Sequence, residues 1–176
     1  DNINYGIYNA SSGSITVKGG TVNSNINSNF SNTYNYGIYN ASSGSVKVEG
    51  GAVSSSNSNS FSYGIYNSSN GNIEVTGGTV SSNGYGIKND GRGKVSGGII
   101  NCSMNGSLTY GIYNTYGAIE VTGGIVSDFY YGIYNNSGSI EVTGGTINSS
   151  AYGIYHVFEG SITIGIKGDG IVSQEE

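Results

Sequence analysis

The run YGIYNNSGSIEVTGGTINSSA, Tyr131 to Ala151, is followed at once by YGIYHVFEGSITI, so the chain returns to the same few residues after 21 positions. Working outward finds the YGI element seven times, starting at Tyr5, Tyr36, Tyr63, Tyr85, Tyr110, Tyr131 and Tyr152, at intervals of 21 to 31 residues. In the first six units an apolar-x-Val stretch follows, with Gly93 in the apolar place of the fourth, then a Gly-Gly pair, then one residue further an apolar side chain. The quoted unit shows the pattern: Ile140 and Val142, Gly144 and Gly145, Ile147. Within each stretch the apolar residues alternate with polar ones, which is the period of a half-buried strand. Three such strands and three turns in 21 residues make one coil of a parallel β-solenoid. A single coil cannot bury its apolar face, but seven stacked coils place Ile on Ile and Val on Val. The expected fold is all-β, a right-handed parallel β-helix of about seven coils with three short strands each. A rung spacing of ~4.8 Å gives a rod of roughly 30 Å.

The spacing between units varies for one reason. The distance from YGIY to the Gly pair is nearly constant, whereas the distance from the Gly pair to the next YGI is not. One corner therefore takes all the insertions, Thr21–Asn35, Ala52–Ser62 and Ile99–Thr109, and three loops are expected along one edge. Phe30, Phe61 and Leu108 are their candidate anchors onto the rod.

Composition agrees with strands rather than helices. The 176 residues include 32 Gly, 16 Tyr, no Pro and no Trp. Ile, Val, Thr and Tyr supply the apolar and aromatic content, and these suit a pleated surface. So polar a composition would also suit disorder, but disorder does not explain why every Ile and Val keeps a fixed place in the repeat. A net charge of −5 with six basic residues argues against nucleic acid and anionic membranes as partners. No apolar run approaches membrane-spanning length. The lone Cys102 cannot form an internal disulfide. The length fits one domain, residues 1–176. Opening at Asp1, with neither initiator Met nor signal peptide, it reads as part of a longer secreted or surface protein.

The phrases GYGIKN and AYGIYH at a strand, with Asn at the following turn and GGTI further on, resemble right-handed parallel β-helix repeats of the pectate-lyase-like superfamily. Such repeats occur in bacterial secreted and cell-surface proteins. The likeness covers nearly the whole chain, but it is one of rung chemistry. It implies the fold, a secreted or cell-surface location, and a range of functions from polysaccharide lyase and glycosidase to adhesin.

Equivalent positions of a solenoid become columns. The Asn column is Asn9, Asn40, Asn67, Asn89, Asn114 and Asn135, with His156 in the seventh coil. If the Ile of YGI faces inward, alternation turns this Asn inward too, to form a hydrogen-bonded amide ladder that His156 ends. The ladder makes the N-x-Ser/Thr matches in this column coincidental. The same alternation turns the Tyr before each Gly inward. The middle strand carries Thr16, Lys47, Glu74, Lys94, Glu120, Glu141 and Thr163 on its outer face, with charges alternating in sign from Lys47 to Glu120. Lys18 and Glu49 form a similar pair two residues along. Glu120 beside Glu141 breaks the alternation and is the one candidate contact for Ca²⁺, although two carboxylates with Thr122 and Thr143 are few ligands.

The outward column Tyr8, Tyr39, Tyr66, Lys88, Tyr113, Tyr134 and Tyr155 is the candidate ligand-binding stripe, with Lys88 between Tyr66 and Tyr113. It either covers and stiffens the rod or meets a glycan or protein partner.

The resemblance raises an alternative, a polysaccharide lyase or glycosidase or its accessory domain. Superfamily lyases use clustered acids for Ca²⁺ with a Lys or Arg base, and the glycosidases use grouped carboxylates. Here the four Asp (Asp1, Asp90, Asp128 and Asp169) fall in distant coils. Asp90 and Arg92, in KNDGRGK, read as a self-paired tight turn. No catalytic set, metal spacing or phosphate loop is visible, so no cofactor is expected. A second alternative, an ice-binding solenoid, needs a regular outward Thr array. The column Thr76, Ser96, Thr122 and Thr143 is interrupted by Lys18 and Glu49. The expectation is therefore a non-catalytic extracellular rod or spacer, adhesin-like or glycan-binding. It should be monomeric in solution, with a tendency to associate end to end because neither terminus carries a capping helix.

Overall fold

The computed structural model describes residues 2–25, 33–57, 61–103, 108–165 and 172–174. Its strands form one parallel sheet that wraps about 308° round an axis, and no helix occurs among the described residues. The first coil has strands Asn2–Asn9, Ile15–Val17 and Thr21–Asn25. The second has Thr33–Asn40, Val46–Val48 and Ala52–Ser56, and the third Phe61–Asn67, Asn72–Val75 and Thr79–Ser82. In the fourth, fifth and sixth coils the middle and third strands merge, as in Arg92–Cys102. In Ala118–Asn135 and Gly138–His156 the strand continues round the next corner as well. The seventh coil closes with Gly160–Ile164 and Val172–Gln174.

Neighbouring coils pair like on like. Tyr36 faces Tyr63 and Ile38 faces Ile65. In the middle strand Val46 faces Ile73 and Val48 faces Val75, and in the third Val53 faces Val80. The seven-coil repeat is thus the rung structure itself. The core is a set of axial columns: Ile38, Ile65, Ile87, Ile112 and Ile133 are fully buried, while Ile7 and Ile154 at the two ends are partly buried. Buried β-branched columns of this kind are where most of the apolar surface leaves water.

Two glycine positions are dictated by this packing. A Cβ at Gly64, the glycine of YGI, would stand 2.6 Å from the Gly86 carbonyl oxygen and 2.6 Å from Val80 Cγ1 across the core. The glycine is there because the wall opposite approaches too closely for any side chain. The second glycine of each Gly-Gly pair has a left-handed backbone, φ +73° at Gly78 and +76° at Gly98, where a Cβ is strained.

The insertion corner differs from expectation. Much of it is strand rather than loop, since Thr21–Asn25 and Ala52–Ser56 extend the third strands and Thr33–Asn35 precedes a YGI element in continuous strand. Asn4 Nδ2 donates to Asn35 Oδ1 at 3.0 Å, a short second amide ladder, and Ser55 Oγ donates to the Asn35 carbonyl at 2.9 Å. Backbone pairing to the next coil continues into the inserted residues because an unpaired strand edge is costly. Residues 26–32, 58–60 and 104–107 of these insertions, with Phe30, lie outside the described residues, as do Asp1, Asp169, Glu175 and Glu176.

Phe61 and Leu108 do not anchor the corner in the core: they are 51% and 63% exposed. Phe61 instead stacks on Tyr34 at 5.6 Å. The aromatic side chain that does fill the interior is Phe129, which is fully buried beside the YGI glycines Gly86 and Gly111.

Candidate functional site: a tyrosine ridge

The Asn column stands as expected. Each amide nitrogen donates along the axis to the next carboxamide oxygen: Asn9 to Asn40 at 2.8 Å, Asn40 to Asn67 at 2.8 Å, Asn67 to Asn89 at 3.1 Å, Asn89 to Asn114 at 3.3 Å and Asn114 to Asn135 at 2.8 Å. The second N–H holds the coil's own turn, as in Asn67 to the Gly71 carbonyl at 2.7 Å. Every Asn of the column is buried, so these amides are satisfied by one another and by their own turns. Asn135 Nδ2 donates to His156 Nδ1 at 3.0 Å. That bond leaves the proton of a neutral imidazole on the other ring nitrogen and makes His156 the ladder's terminal member.

The Tyr before each Gly does not face inward. In the second coil Gly37 and Ile38 are both buried, while Tyr36 and Tyr39 are both partly exposed. The glycine, pressed against the opposite wall, takes an inward place of its own, and alternation shifts by one. The ridge therefore has two columns: Tyr5, Tyr36, Tyr63, Tyr85, Tyr110, Tyr131 and Tyr152 lie beside Tyr8, Tyr39, Tyr66, Lys88, Tyr113, Tyr134 and Tyr155. Together they hold thirteen of the sixteen tyrosines. Along the first column the rings stack face to face, with centroids 4.8 Å apart for Tyr63–Tyr85 and Tyr85–Tyr110 and 5.1 Å for Tyr110–Tyr131. The columns also touch, as in Tyr36–Tyr39 at 5.0 Å. Stacking on this scale contributes ~0.5–1.5 kcal/mol per pair beyond burial. It also turns ring faces toward ring faces and leaves edges and hydroxyls for solvent.

Lys88 interrupts the outer column and divides the ridge. It stands between Tyr66 and Tyr113 in the rung register, and its ammonium lies over the Tyr66 side, 4.4 Å from the Tyr66 ring and 5.9 Å from Tyr63. Burial lowers its pKa, partly offset by Asp90. Before Lys88 the two columns meet at shallow angles, 39° for Tyr36–Tyr39 and 23° for Tyr63–Tyr66. In the two coils after it they meet edge to face, 89° for Tyr110–Tyr113 and 80° for Tyr131–Tyr134, and in the seventh they are tilted, 59° for Tyr152–Tyr155. Asp90 does not pair with Arg92; its Oδ2 accepts the Tyr66 hydroxyl at 3.4 Å. Ser68 Oγ likewise donates to the Tyr39 hydroxyl at 3.0 Å. Burial foremost, then neighbouring phenols, pushes Tyr36 and Tyr85 up to about 12. Tyr63 and Tyr66 are pushed higher still, Tyr66 with a contribution from Asp90.

The charged column of the middle strand is in register. Lys47 reaches Glu74 at 3.3 Å and Lys94 reaches Glu120 at 2.7 Å. Glu49 turns back to Lys47 at 3.2 Å instead of pairing with Lys18, because strand neighbours two apart share a face. The partners are partly solvated, so each pair contributes ~0–1 kcal/mol. Glu120 lies directly opposite Glu141. Both line a shallow depression of about 400 Å³ with Glu74, Arg92 and Lys94. Among the described residues no three His, Cys, Asp or Glu side chains come together as a metal site. The Thr column is out of step: Ser96 pairs with Gly123 and Thr122 with Gly144, across bulges.

No protein-family model, curated protein or solved structure matches this chain.

Proposed function

We propose that the chain is a non-catalytic extracellular solenoid module, an adhesin-like rod or spacer that meets a glycan or protein at a cell surface through its tyrosine ridge. One observation carries the reading: thirteen phenols aligned in two touching columns along the rod. Tyrosine is favoured at interfaces because a rigid ring adds contact area at little entropic cost and its hydroxyl donates and accepts. The stacked faces are already engaged, so the contact is made by ring edges and hydroxyls, which suits a hydroxyl-rich glycan or an exposed protein backbone. The likeness of the YGI and GGTI phrases to pectate-lyase-like repeats favours the same secreted or cell-surface setting.

The test compares binding on glycan arrays and in pull-downs between the native chain and a Tyr39→Ala, Tyr66→Ala, Tyr113→Ala variant shown by circular dichroism to be folded. Loss of binding supports the ridge. Binding that survives in the folded variant assigns the contact elsewhere and the ridge to stiffness alone.

A further inference from the structure

The YGI tyrosines form an unbroken stack, and we propose that this column relays one-electron oxidation along the rod, so that an oxidising equivalent entering one half of the ridge leaves products in the other. The inference is independent of what the ridge binds. In sequence the ring centroids lie 5.3 Å apart for Tyr5–Tyr36, 4.9 Å for Tyr36–Tyr63, 4.8 Å for Tyr63–Tyr85 and Tyr85–Tyr110, 5.1 Å for Tyr110–Tyr131 and 5.3 Å for Tyr131–Tyr152. Every one of these pairs is within 16° of parallel. Phenols lose single electrons more readily than aliphatic or amide side chains do. The chain has no Trp to compete, and its one Cys is buried. Rings that meet face to face overlap their π-systems, so a hole on one phenol passes to the next without crossing saturated groups.

Lys88 gives this path a single obligatory link. In the fourth coil it puts an alkyl chain where the outer column would carry a ring. Among the described residues, every ring contact between the first three coils and the last three therefore runs through Tyr85. That ring meets Tyr63 at 4.8 Å on one side, and Tyr110 at 4.8 Å and Tyr113 at 5.5 Å on the other.

A phenol that loses an electron also gives up its proton. Most ridge hydroxyls give theirs to water. Tyr66 differs, because its hydroxyl donates to Asp90 Oδ2 at 3.4 Å, the one carboxylate hydrogen-bonded to a ridge phenol among the described residues. The electron leaves for the oxidant and the proton for Asp90, and the neutral phenoxyl left at Tyr66 carries no charge to oppose the Lys88 ammonium. Tyr66 joins the column through Tyr63 at 5.5 Å and is its resting place. The oxidant is a one-electron acceptor from outside the chain, a peroxyl radical or an activated peroxidase. When it takes a second electron from a neighbouring phenol, the two phenoxyl radicals join through ring carbons ortho to oxygen. The two hydrogens on those carbons then move back to the oxygens. In sum two phenols become one dityrosine, two electrons pass to the oxidant, and two protons pass to Asp90 or water. Between rings of successive coils, that bond ties the coils covalently.

The experiment tethers a ruthenium tris-bipyridyl photo-oxidant to Ser12→Cys, in the exposed first turn of the rod, in a Cys102→Ala background. At the usual rung spacing Tyr131 and Tyr134 lie about 24 Å further along the axis. The chain is illuminated at high dilution with persulfate as terminal acceptor, and modified tyrosines are mapped by peptide mass spectrometry. The expected products include Tyr131 and Tyr134, with Tyr66 the most modified. Tyr85→Phe keeps the ring and its stacking but removes the oxidisable phenol. It is expected to lower the products at Tyr110, Tyr131 and Tyr134 several-fold and to leave those at Tyr36 and Tyr63 unchanged. Tyr113→Phe, which lies beside the column, should leave Tyr131 unaffected, and Asp90→Asn should draw product away from Tyr66. Circular dichroism checks the fold of each variant. The relay is overturned if the parent chain shows no product beyond Tyr85, or if Tyr85→Phe matches it there. It is also overturned if an isotope-labelled chain without the tether, in the same solution, is modified equally. A Tyr66 yield that Asp90→Asn leaves unchanged overturns the resting place.

Discussion

Asn67 Nδ2 donates at once to Asn89 Oδ1 at 3.1 Å and to the Gly71 carbonyl at 2.7 Å. One side chain thereby ties its coil to the next and closes its own turn. Because both bonds are buried, removing the amide leaves acceptors without partners rather than returning them to water. Asn67→Ala is expected to cost about 1–3 kcal/mol in urea denaturation.

Asn67→Asp tests the donor requirement separately. A buried carboxylate set against two acceptor oxygens has its pKa raised above the unfolded value of about 3.9. The stability of this variant relative to the native chain is therefore greatest below that value, where the protonated acid can donate, and falls as pH rises through the folded pKa. Denaturation at acidic and neutral pH measures this. A penalty independent of pH would show that the ladder's donors are dispensable.

Ile112 is fully buried in the YGI column between Ile87 and Ile133. Ile112→Ala should cost about 2–5 kcal/mol, the transfer and cavity terms together. A loss under about half a kcal/mol, against that usual range, would mean the column is not the core.

Gly64→Ala inserts a methyl group 2.6 Å from the Gly86 carbonyl oxygen and 2.6 Å from Val80 Cγ1. The expected loss is about 1–3 kcal/mol from overpacking. Adding Val80→Ala relieves the side-chain contact but not the one to the carbonyl, so it should give no full recovery. Thermal melts of the single and double variants check this.

Alkali should unfold the rod through its ridge. Tyr36 and Tyr85 keep their protons to about 12 when folded, against 10.0 for a free phenol. With folded values raised, the stabilisation is fully present below pH 10 and is lost as pH rises through the folded values. Ultraviolet titration should show exposed phenols ionising first and the covered ones only together with loss of the strand signal. A single reversible step near pH 10 for all tyrosines would contradict the packing.

Much of this protein could be read before its folding was seen, because in a solenoid residues a repeat apart in sequence are neighbours in space. Ile38 over Ile65, Asn40 over Asn67 and Lys47 beside Glu74 follow from counting. Counting could not say where the Tyr before each glycine points, since alternation presumes an unbroken pleat. Gly37 breaks the pleat: it lacks a Cβ and sits against the opposite Val53, so it turns inward beside Ile38 and sends Tyr36 out to join Tyr39. The same holds for Glu49, which turned from the expected Lys18 to Lys47, and for Asp90, which took the Tyr66 hydroxyl rather than Arg92. Periodicity determines which residues share a column. Which way a column faces, and which of several reachable partners a polar side chain takes, is decided by the close approach of walls that are far apart in sequence.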